Sequence, residues 1–404
     1  TAAIVQTQAT TISQTVNVNQ ITKLPLTSRA ALDFVTLMPG VTTAGGNRQS
    51  QINGLPRGLI NITLDGVNVQ DNTLRSTDGF FAIVNPRLDA IEEVSVSTAA
   101  QGADAGQGAV QVRFVTRSGS NTFTGSGYYY MRRDRFNNNT WFNERDNIAK
   151  PKLKQDQIGA RAGGPIYLPK LFDGRNRAFW FMNWEEFRQP SDVTRNRTVL
   201  NTLAQQGIYS YTTSTGATQQ VNLLALAAAN GHISTLDPIT SGVLADIRSA
   251  VSGGPLTDLD PNLQRFTYNV PVESMRRYPT VRIDYNFSSN HRVFGRYNQT
   301  YNLFSSGQVL GTIANGQDRF RRNKGVVFDD IYVISPSLLN DFRVGFTRFE
   351  QSNTPLHAGY DINSLGFHPS LQAGISPLAL AFPTINMAGF QNLGTGSNNR
   401  AFTN

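Results

Sequence analysis

The sequence predicts a mainly β protein, in which a small α+β domain is followed by antiparallel strands of a transmembrane β-barrel. Of the 404 residues, 39% are hydrophobic and 16% are charged, while Gly (35), Phe (24) and Tyr (13) are abundant, as is typical of strands and turns. No apolar run reaches the length of a membrane-spanning helix, which excludes such a helix but not barrel strands. Apolar and polar residues also alternate along several segments of the second half.

The α+β domain is predicted from a helix signal near the start of the chain. Residues 1–19 read as an extended lead-in with weak alternation. The hydroxyl group of Ser28 precedes an amphipathic segment, so we expect a helix over 29–38 that ends at Pro39 and Gly40.

Short strand-like pieces follow this helix, at 51–53, 61–64 and 93–97. Asp65 and Gly66 form a tight-turn signal, because Gly accepts positive φ and Asp can bond to the backbone beyond it. We expect this domain to end near residue 118.

Beyond residue 118 the sequence shows strand-like segments joined alternately by short turns and long polar loops. The expected strands are 122–133, 153–166, 178–188, 278–287, 291–301, 324–334 and 339–350. The longest loop is expected at 190–275 and on the extracellular side, and no strand is expected after the last of these segments. These are about seven strands, whereas single-chain bacterial barrels have even numbers, so we expect an incomplete barrel.

The alternation assigns the two faces of these strands. Val281, Ile283, Tyr285 and Phe287 fall on one face, and Thr280, Arg282, Asp284 and Asn286 on the other. An apolar face outward and a charged face inward is typical of a barrel wall. A soluble β-sandwich, the alternative, would hide its apolar face against a second sheet.

No residue pattern indicates catalysis. The chain has no cysteine, and its four histidines are scattered without metal-ligand spacing. Neighbouring carboxylates at Glu92–Glu93 and Glu185–Glu186 point to opposite faces of a strand, so neither pair forms an acid/base couple. We therefore expect no enzymatic activity, no cofactor and no metal.

The net charge of +8 does not indicate a nucleic-acid-binding protein, because the basic residues are dispersed along strand-like segments. We expect the basic side chains to face a polar lumen or the phosphates of lipopolysaccharide.

Five short motifs occur in order, at 36–41 (TLMPGV), 51–54 (QING), 62–67 (ITLDGV), 91–96 (IEEVSV) and 115–121 (VTRSGSN). This series resembles the plug of TonB-dependent outer-membrane receptors, and most closely the Oar-like branch. The resemblance implies a lead-in at 1–19, a plug domain at 20–118 and the N-terminal part of an outer-membrane barrel at 119–404.

The resemblance also implies a location and partners. They are the outer membrane of a Gram-negative bacterium, outer-membrane lipid and lipopolysaccharide, and TonB, whose binding segment is not recognisable near Thr1. The substrate would be a small molecule, an oligosaccharide or a peptide.

In the resembling family, apical plug loops and extracellular loops take the substrate, and TonB pulls on the plug to open a path. The matching positions here are Arg57, Gln70, Asp71 and Asn72. The alternative is a non-transporting surface, adhesion or assembly protein that keeps the plug and barrel architecture.

Overall fold

A computed structural model describes residues 12–17, 28–43, 49–71, 80–98, 106–145, 149–305, 316–355, 358–382 and 399–403. These residues form an N-terminal domain and a large antiparallel sheet, which we call the barrel sheet. The mainly β class predicted from composition and alternation is confirmed.

The N-terminal domain is built on a five-stranded sheet with the order β1-β6-β7-β4-β5. Its strands are β1 (Ile12–Asn17), β4 (Ile60–Leu64), β5 (Val67–Asn68), β6 (Ile91–Thr98) and β7 (Val110–Thr116), and a separate pair is formed by β2 (Val41–Thr42) and β3 (Gln51–Ile52). β4 and β7 run parallel, and the other pairs are antiparallel.

The segment expected as a lead-in, residues 1–19, contains an element of this sheet. β1 pairs with β6 from Ile12 opposite Thr98 to Asn17 opposite Glu93. The free edge of β6 offers unpaired backbone groups, and an extended segment satisfies them by pairing.

The helix expected over 29–38 is shorter. α1 spans Ala31–Val35 and buries four of its five side chains. Arg29 has a φ of 50° and Ala30 is extended, so the helix cannot begin before Ala31. Gly40, at φ 81°, ends the turn that follows.

The core of the domain lies between α1 and the sheet. Its largest fully buried side chains include Ile60, Ile62, Leu64 and Phe114. The predicted turn is confirmed, because Asp65 (φ 48°) and Gly66 (φ 77°) join β4 to β5 in a two-residue hairpin.

In the described part of the chain the barrel sheet has ten strands. They are β8 (Thr124–Arg133), β9 (Lys154–Pro165), β12 (Ala178–Leu200), β15 (Leu256–Asp258), β16 (Leu263–Arg277), β17 (Thr280–Asn286), β18 (His291–Ser305), β19 (Gln317–Ser335), β20 (Leu338–Pro355) and β21 (Asn399–Thr403). β16 and β17 keep one register against β12, so they act as a single long strand.

The loop expected at 190–275 is shorter than predicted. β12 continues to Leu200 and β16 begins at Leu263, and the two pair residue by residue from Glu186 opposite Arg277 to Leu200 opposite Leu263. Polar residues occupy both faces of this hairpin, which removes the alternation that marks a membrane strand.

The excursion at 201–262 carries its own elements. They are α3 (Thr202–Gln205), β13 (Ile208–Thr212), β14 (Thr218–Asn222), α4 (Leu223–Ala229) and α5 (Pro238–Val251), in addition to β15. Two short elements lie in other connections, α2 (Trp141–Arg145) and the hairpin of β10 (Tyr167–Leu168) with β11 (Phe172–Asp173).

A strand that the sequence did not predict follows residue 350. β21 pairs antiparallel with β20 from Phe349 opposite Thr403 to Asn353 opposite Asn399. Backbone groups along the edge of β20 recruit this segment although its sequence lacks apolar alternation.

The two faces of the barrel sheet differ as predicted. The inward face, which contacts the N-terminal domain, holds Arg282 and the buried Arg296, whereas Val281, Ile283 and Phe287 are exposed on the outward face. The prediction of a barrel wall is confirmed, since no second sheet of the described residues packs on these apolar side chains.

The two ends of the barrel sheet also differ. At the short-turn end, residues 287–290 and 336–337 join neighbouring strands. At the opposite end, which we call the long-loop end, the chain leaves the sheet after residues 133, 200, 305 and 355 and, apart from the short β15, returns to it at 154, 263, 317 and 399. Among the described residues, no helix has the length and hydropathy needed to cross a membrane, a finding that does not bear on β-barrels.

We expect a Phe114→Ala change to lower the opening free energy of the N-terminal sheet by about 3–5 kcal/mol, because it leaves a cavity between β7 and α1. Hydrogen exchange of the β4 and β7 amides measures this energy. Val115→Ala is the control, since Val115 is 42% exposed on the opposite face and its truncation should change little. Equal effects of the two changes would contradict the assignment of the core.

Candidate functional site at the domain interface

The N-terminal domain rests against the inward face of the barrel sheet through polar contacts. The backbone N of Asn85 donates to Thr300 Oγ1 over 3.1 Å, and Asn323 Nδ2 donates to the carbonyl of Ile83 over 2.6 Å. The backbone of residues 83–85 therefore binds to the barrel sheet, and these two hydrogen bonds fix the position of the segment along the barrel strands.

The centre of the interface is a charged group that we call the Glu185 cluster. It consists of Glu185, Arg87, Arg29, Asp89, Tyr128 and Gln157. Glu185 projects inward from β12 and is fully buried. Its two oxygens accept from Arg87, from the hydroxyl of Tyr128 and from Gln157 Nε2, the last over 2.9 Å.

The local fold of the N-terminal domain brings the two arginines side by side. Ala30 and Arg87 form an isolated β-bridge, and the backbone N of Leu88 donates to the carbonyl of Arg29 over 3.2 Å. Arg29 then reaches Asp89, which lies in a 3-10 turn at Leu88–Ala90.

Aromatic rings of the wall complete the enclosure. The guanidinium of Arg87 lies 4.4 Å from the ring centroid of Tyr278, and that of Arg29 lies 4.6 Å from Tyr128 and 4.8 Å from Tyr130. Stacking on these rings stabilises the cations while excluding water from the carboxylate.

Both arginines stay charged in this setting. Burial acts to lower the pKa of Arg87, but the negative charge of Glu185 outweighs it and holds the pKa above its ordinary value. For Arg29, burial is likewise outweighed by Asp89, so its pKa is also raised. The cluster is thus a set of buried ion pairs in which removal of one partner leaves a charge uncompensated.

A second charged contact is made by the turn after β4. Asp65 accepts from the backbone N and the hydroxyl of Thr116, each over 2.8 Å. Arg296 Nε lies 3.2 Å from its Oδ2 and Arg282 Nη1 lies 3.6 Å from its Oδ1. One carboxylate of the N-terminal domain therefore meets two arginines of the wall.

A cavity of about 520 Å³ lies beside this contact, between the turn and the wall. Its lining includes Gly66, Arg282, Asp329 and Arg343, and Arg343 Nε donates to Asp329 Oδ1 over 2.9 Å. A Cβ at Gly66 would lie 2.0 Å from Arg343 Nη1, so this position has no room for a side chain unless Arg343 moves.

The four residues expected to bind substrate are not brought together on one open surface. Arg57 is partly exposed in a 3-10 turn at Arg57–Leu59, at the end of β4 opposite Asp65. Gln70 and Asp71 are buried, and Gln70 Oε1 accepts from the backbone N of Ile62 over 2.9 Å. Asn72 lies outside the described residues.

Sequence reasoning missed the role of Glu185 and did not say which face of the strand it occupies. The alternation predicted that Glu185 and Glu186 point to opposite faces, and Glu186 indeed pairs with Arg188 and Arg277 on the outward face. The signal that could have identified Glu185 is a carboxylate on the inward face of a membrane strand, which requires a buried cation.

Above the interface, at the long-loop end, two connections share a small apolar core. α5 contributes Val243, Ile247 and Val251, and residues 358–382 contribute Leu365 and Phe382. They pack with Val199 and Phe266 of the β12–β16 hairpin, which alternation places on the inward face. These connections therefore form one packed unit on the inward side of the sheet.

Within the described residues, no group of three or more His, Cys, Asp or Glu side chains is arranged to hold a metal ion.

Comparisons with known families agree with this geometry. The family model described as "TonB-dependent Receptor Plug Domain" matches residues 5–112, and the one described as "Outer membrane beta barrel domain" matches residues 115–404. The chain belongs to the TonB-dependent outer-membrane receptors. The N-terminal domain is the plug, and the protein lies in the outer membrane of a Gram-negative bacterium. That the long-loop end is extracellular stays a prediction, based on the short periplasmic turns and long extracellular loops of such barrels.

Among solved structures, the outer-membrane transporter YddB from Escherichia coli is similar at a TM-score of 0.55 and 9% identity, over 86% of this chain and 40% of that one. This likeness shows the fold. The siderophore receptor PirA from Acinetobacter baumannii (TM-score 0.39, 14% identity, 86% of this chain and 49% of that one) and FpvA from P. aeruginosa (0.42, 11%, 88% and 44%) are less similar in structure.

This chain thus spans less than half the length of these receptors. No curated protein matches the sequence. The assignment to the Oar-like branch stays a prediction.

We expect Glu185→Gln to lower the free energy of opening of the plug segment 80–98 by about 3–5 kcal/mol, because the change leaves the buried Arg87 without a carboxylate. Hydrogen exchange of the amides at 80–98 reports this opening energy.

Glu186→Gln is the matched control on the neighbouring residue. Its partners Arg188 and Arg277 are about half exposed and stay solvated, so we expect less than about 1 kcal/mol. Equal protection of 80–98 in wild type and Glu185→Gln would show that the cluster does not hold the plug.

Proposed function

We propose that this chain is the plug and the opening part of the barrel of a transporter that imports a substrate with energy relayed by TonB. The observation that carries the proposal is the polar interface between plug and wall. A barrel filled by a plug passes nothing until the plug moves, and discrete ion pairs and hydrogen bonds can be broken and remade between two fixed positions.

The proposed path of force begins at β1. A pull on the chain upstream of Ile12 reaches β1 first, because β1 is the edge strand of the plug sheet and pairs with β6 alone among the described strands. The load then passes through β6 to the 3-10 turn at Leu88–Ala90 and to Arg87, which precedes it. The Glu185 cluster is therefore the contact that this force would break.

Substrate binding is proposed at the plug apex and the extracellular connections. Arg57 is the plug residue we favour, since its guanidinium can present two parallel donors to a carboxylate or phosphate. For Gln70, Asp71 and Asn72 the binding role stays a prediction, and burial means that Gln70 and Asp71 would meet a ligand only in an opened plug.

The expected partners follow from this function. We infer that TonB binds a segment upstream of the plug, that the barrel contacts outer-membrane lipid and lipopolysaccharide, and that nucleic acid is not a partner. The substrate would be a small molecule, an oligosaccharide or a peptide, which the protein passes without transforming it.

A cross-link between plug and wall tests the motion. Asn85 and Thr300 are in contact, and the chain has no cysteine, so Asn85→Cys with Thr300→Cys gives one defined pair. We expect oxidation to reduce uptake to the level of cells without TonB, and reduction of the disulfide to restore it. Uptake is measured with a panel of labelled ferric siderophores, cobalamin and oligosaccharides.

The control pair is Val281→Cys with Tyr297→Cys, which joins two neighbouring wall strands on the outward face. This cross-link should leave uptake unchanged. Full uptake by the oxidised Asn85–Thr300 pair would show that the plug does not move away from this wall segment.

A second test concerns Arg57. For the panel compound that is taken up, we expect Arg57→Ala to weaken binding about 10- to 100-fold, the loss of a charge-assisted hydrogen bond. Isothermal titration of the purified receptor measures the Kd. Arg175→Ala, which removes the same charge from the connection between β9 and β12 at the short-turn end, should change nothing.

The alternative function, a surface or adhesion protein without transport, makes the opposite prediction. Cells that carry the receptor would then take up no panel compound faster than cells lacking it, with or without TonB.

A further inference from the structure

The outward face of the barrel sheet carries a set of basic side chains at one level, which we call the basic row. Its members are Arg188 on β12, Arg277 on β16, Arg322 and Lys324 on β19, and Arg348 on β20. Alternation places all of them on the same face as Val281, since each falls on the outward parity of its strand.

The strand register makes these residues neighbours. Lys324 lies directly opposite Arg348, and Tyr301 lies opposite both Arg277 and Arg322. Like charges placed directly opposite on one face of a sheet destabilise it. An anion bound between Lys324 and Arg348 would offset this repulsion and stabilise the pairing of the two strands.

Carboxylates on the same rows do not balance the charge. Glu186 accepts from both Arg188 and Arg277, and Glu350 lies on the outward face next to Arg348. Asp156 lies opposite Arg188 and pairs with Arg133. Five basic residues in the basic row against these three acidic ones leave a net charge of +2.

The position of the basic row relative to the membrane is set by the apolar residues beside it. One step toward the short-turn end, the outward face carries Val281, Tyr297, Val326 and Phe346, which are 37%, 37%, 43% and 49% exposed. The basic row therefore borders the lipid-facing band on its extracellular side, where the headgroups of the outer leaflet lie.

The opposite border of this band has a different composition. At the short-turn end the outward face carries His291 between Phe287 and Tyr332, with ring centroids 4.8 and 4.9 Å apart, and His291 Nε2 lies 3.0 Å from Asp330 Oδ1. Among the described outward-facing strand positions, Lys and Arg are thus found toward the long-loop end and not at the short-turn border.

We infer that the basic row is a binding site for the phosphate groups of a phosphorylated lipid in the outer leaflet of the outer membrane. Guanidinium groups bind phosphate through paired donors, and a polybasic surface at a membrane border attracts anionic headgroups. This site specifies the contact with lipopolysaccharide proposed above. It depends on the location of the protein in the outer membrane and does not depend on transport.

The test uses the full-length receptor in phosphatidylcholine nanodiscs, titrated with bisphosphorylated lipid A. The variant is R322Q/K324Q/R348Q, and the matched control is K170Q/R175Q/R177Q, which removes the same charge at the short-turn end. With about a fivefold contribution from each basic residue, we expect the variant to bind lipid A on the order of a hundredfold more weakly, and the control to bind as wild type does. Monophosphorylated lipid A should bind wild type more weakly than the bisphosphorylated form.

Equal binding of lipid A by wild type and the R322Q/K324Q/R348Q variant would overturn the inference, provided that both show the heat-modifiable mobility of a folded barrel. Displacement of lipid A by inorganic phosphate at equal concentration would also overturn it, since the site would then serve free phosphate. Because lipid binding is measured without TonB or substrate, its failure leaves the transport proposal standing, and failed uptake leaves the lipid site standing.

Discussion

The alternation of side chains along the barrel strands is the constraint on which the rest of this structure depends. Backbone groups in a membrane must be satisfied within the sheet, so every side chain is assigned to one of two faces by position alone. Glu185 and Glu186 show the consequence most directly. Glu185 is buried against Arg87 of the plug, whereas Glu186 pairs with Arg188 on the outward face of the barrel sheet.

On the inward face this constraint produces an interface made of charges. Asp65 meets Arg296 and Arg282, and Glu185 meets Arg87, so each domain supplies one partner of each pair. Such pairs position the plug specifically, yet their net contribution is limited because desolvation opposes the attraction. An interface of this kind fixes one position of the plug through specific polar contacts.

On the outward face the same alternation separates three levels. An exposed apolar band lies in the middle, an aromatic group around His291 lies at the short-turn end, and basic residues around Lys324 lie toward the long-loop end. The plug interface and the lipid-facing border are thus two products of one sheet. They can be altered separately because they lie on opposite faces of the same strands.

The sequence by itself determined the mainly β class, the turn at Asp65–Gly66, most wall strands and the face of Arg282, because alternation and turn chemistry are local properties. Only the tertiary structure decided that Glu185 faces Arg87, that residues 12–17 join the plug sheet, that β12 and β16 extend to Leu200 and Leu263, and that β21 pairs with β20. Each of these depends on a partner far away along the chain. Edge pairing needs only free backbone groups and leaves no pattern in the local sequence. An inward-facing carboxylate indicates that a cation lies nearby, but the local sequence does not show which residue supplies it.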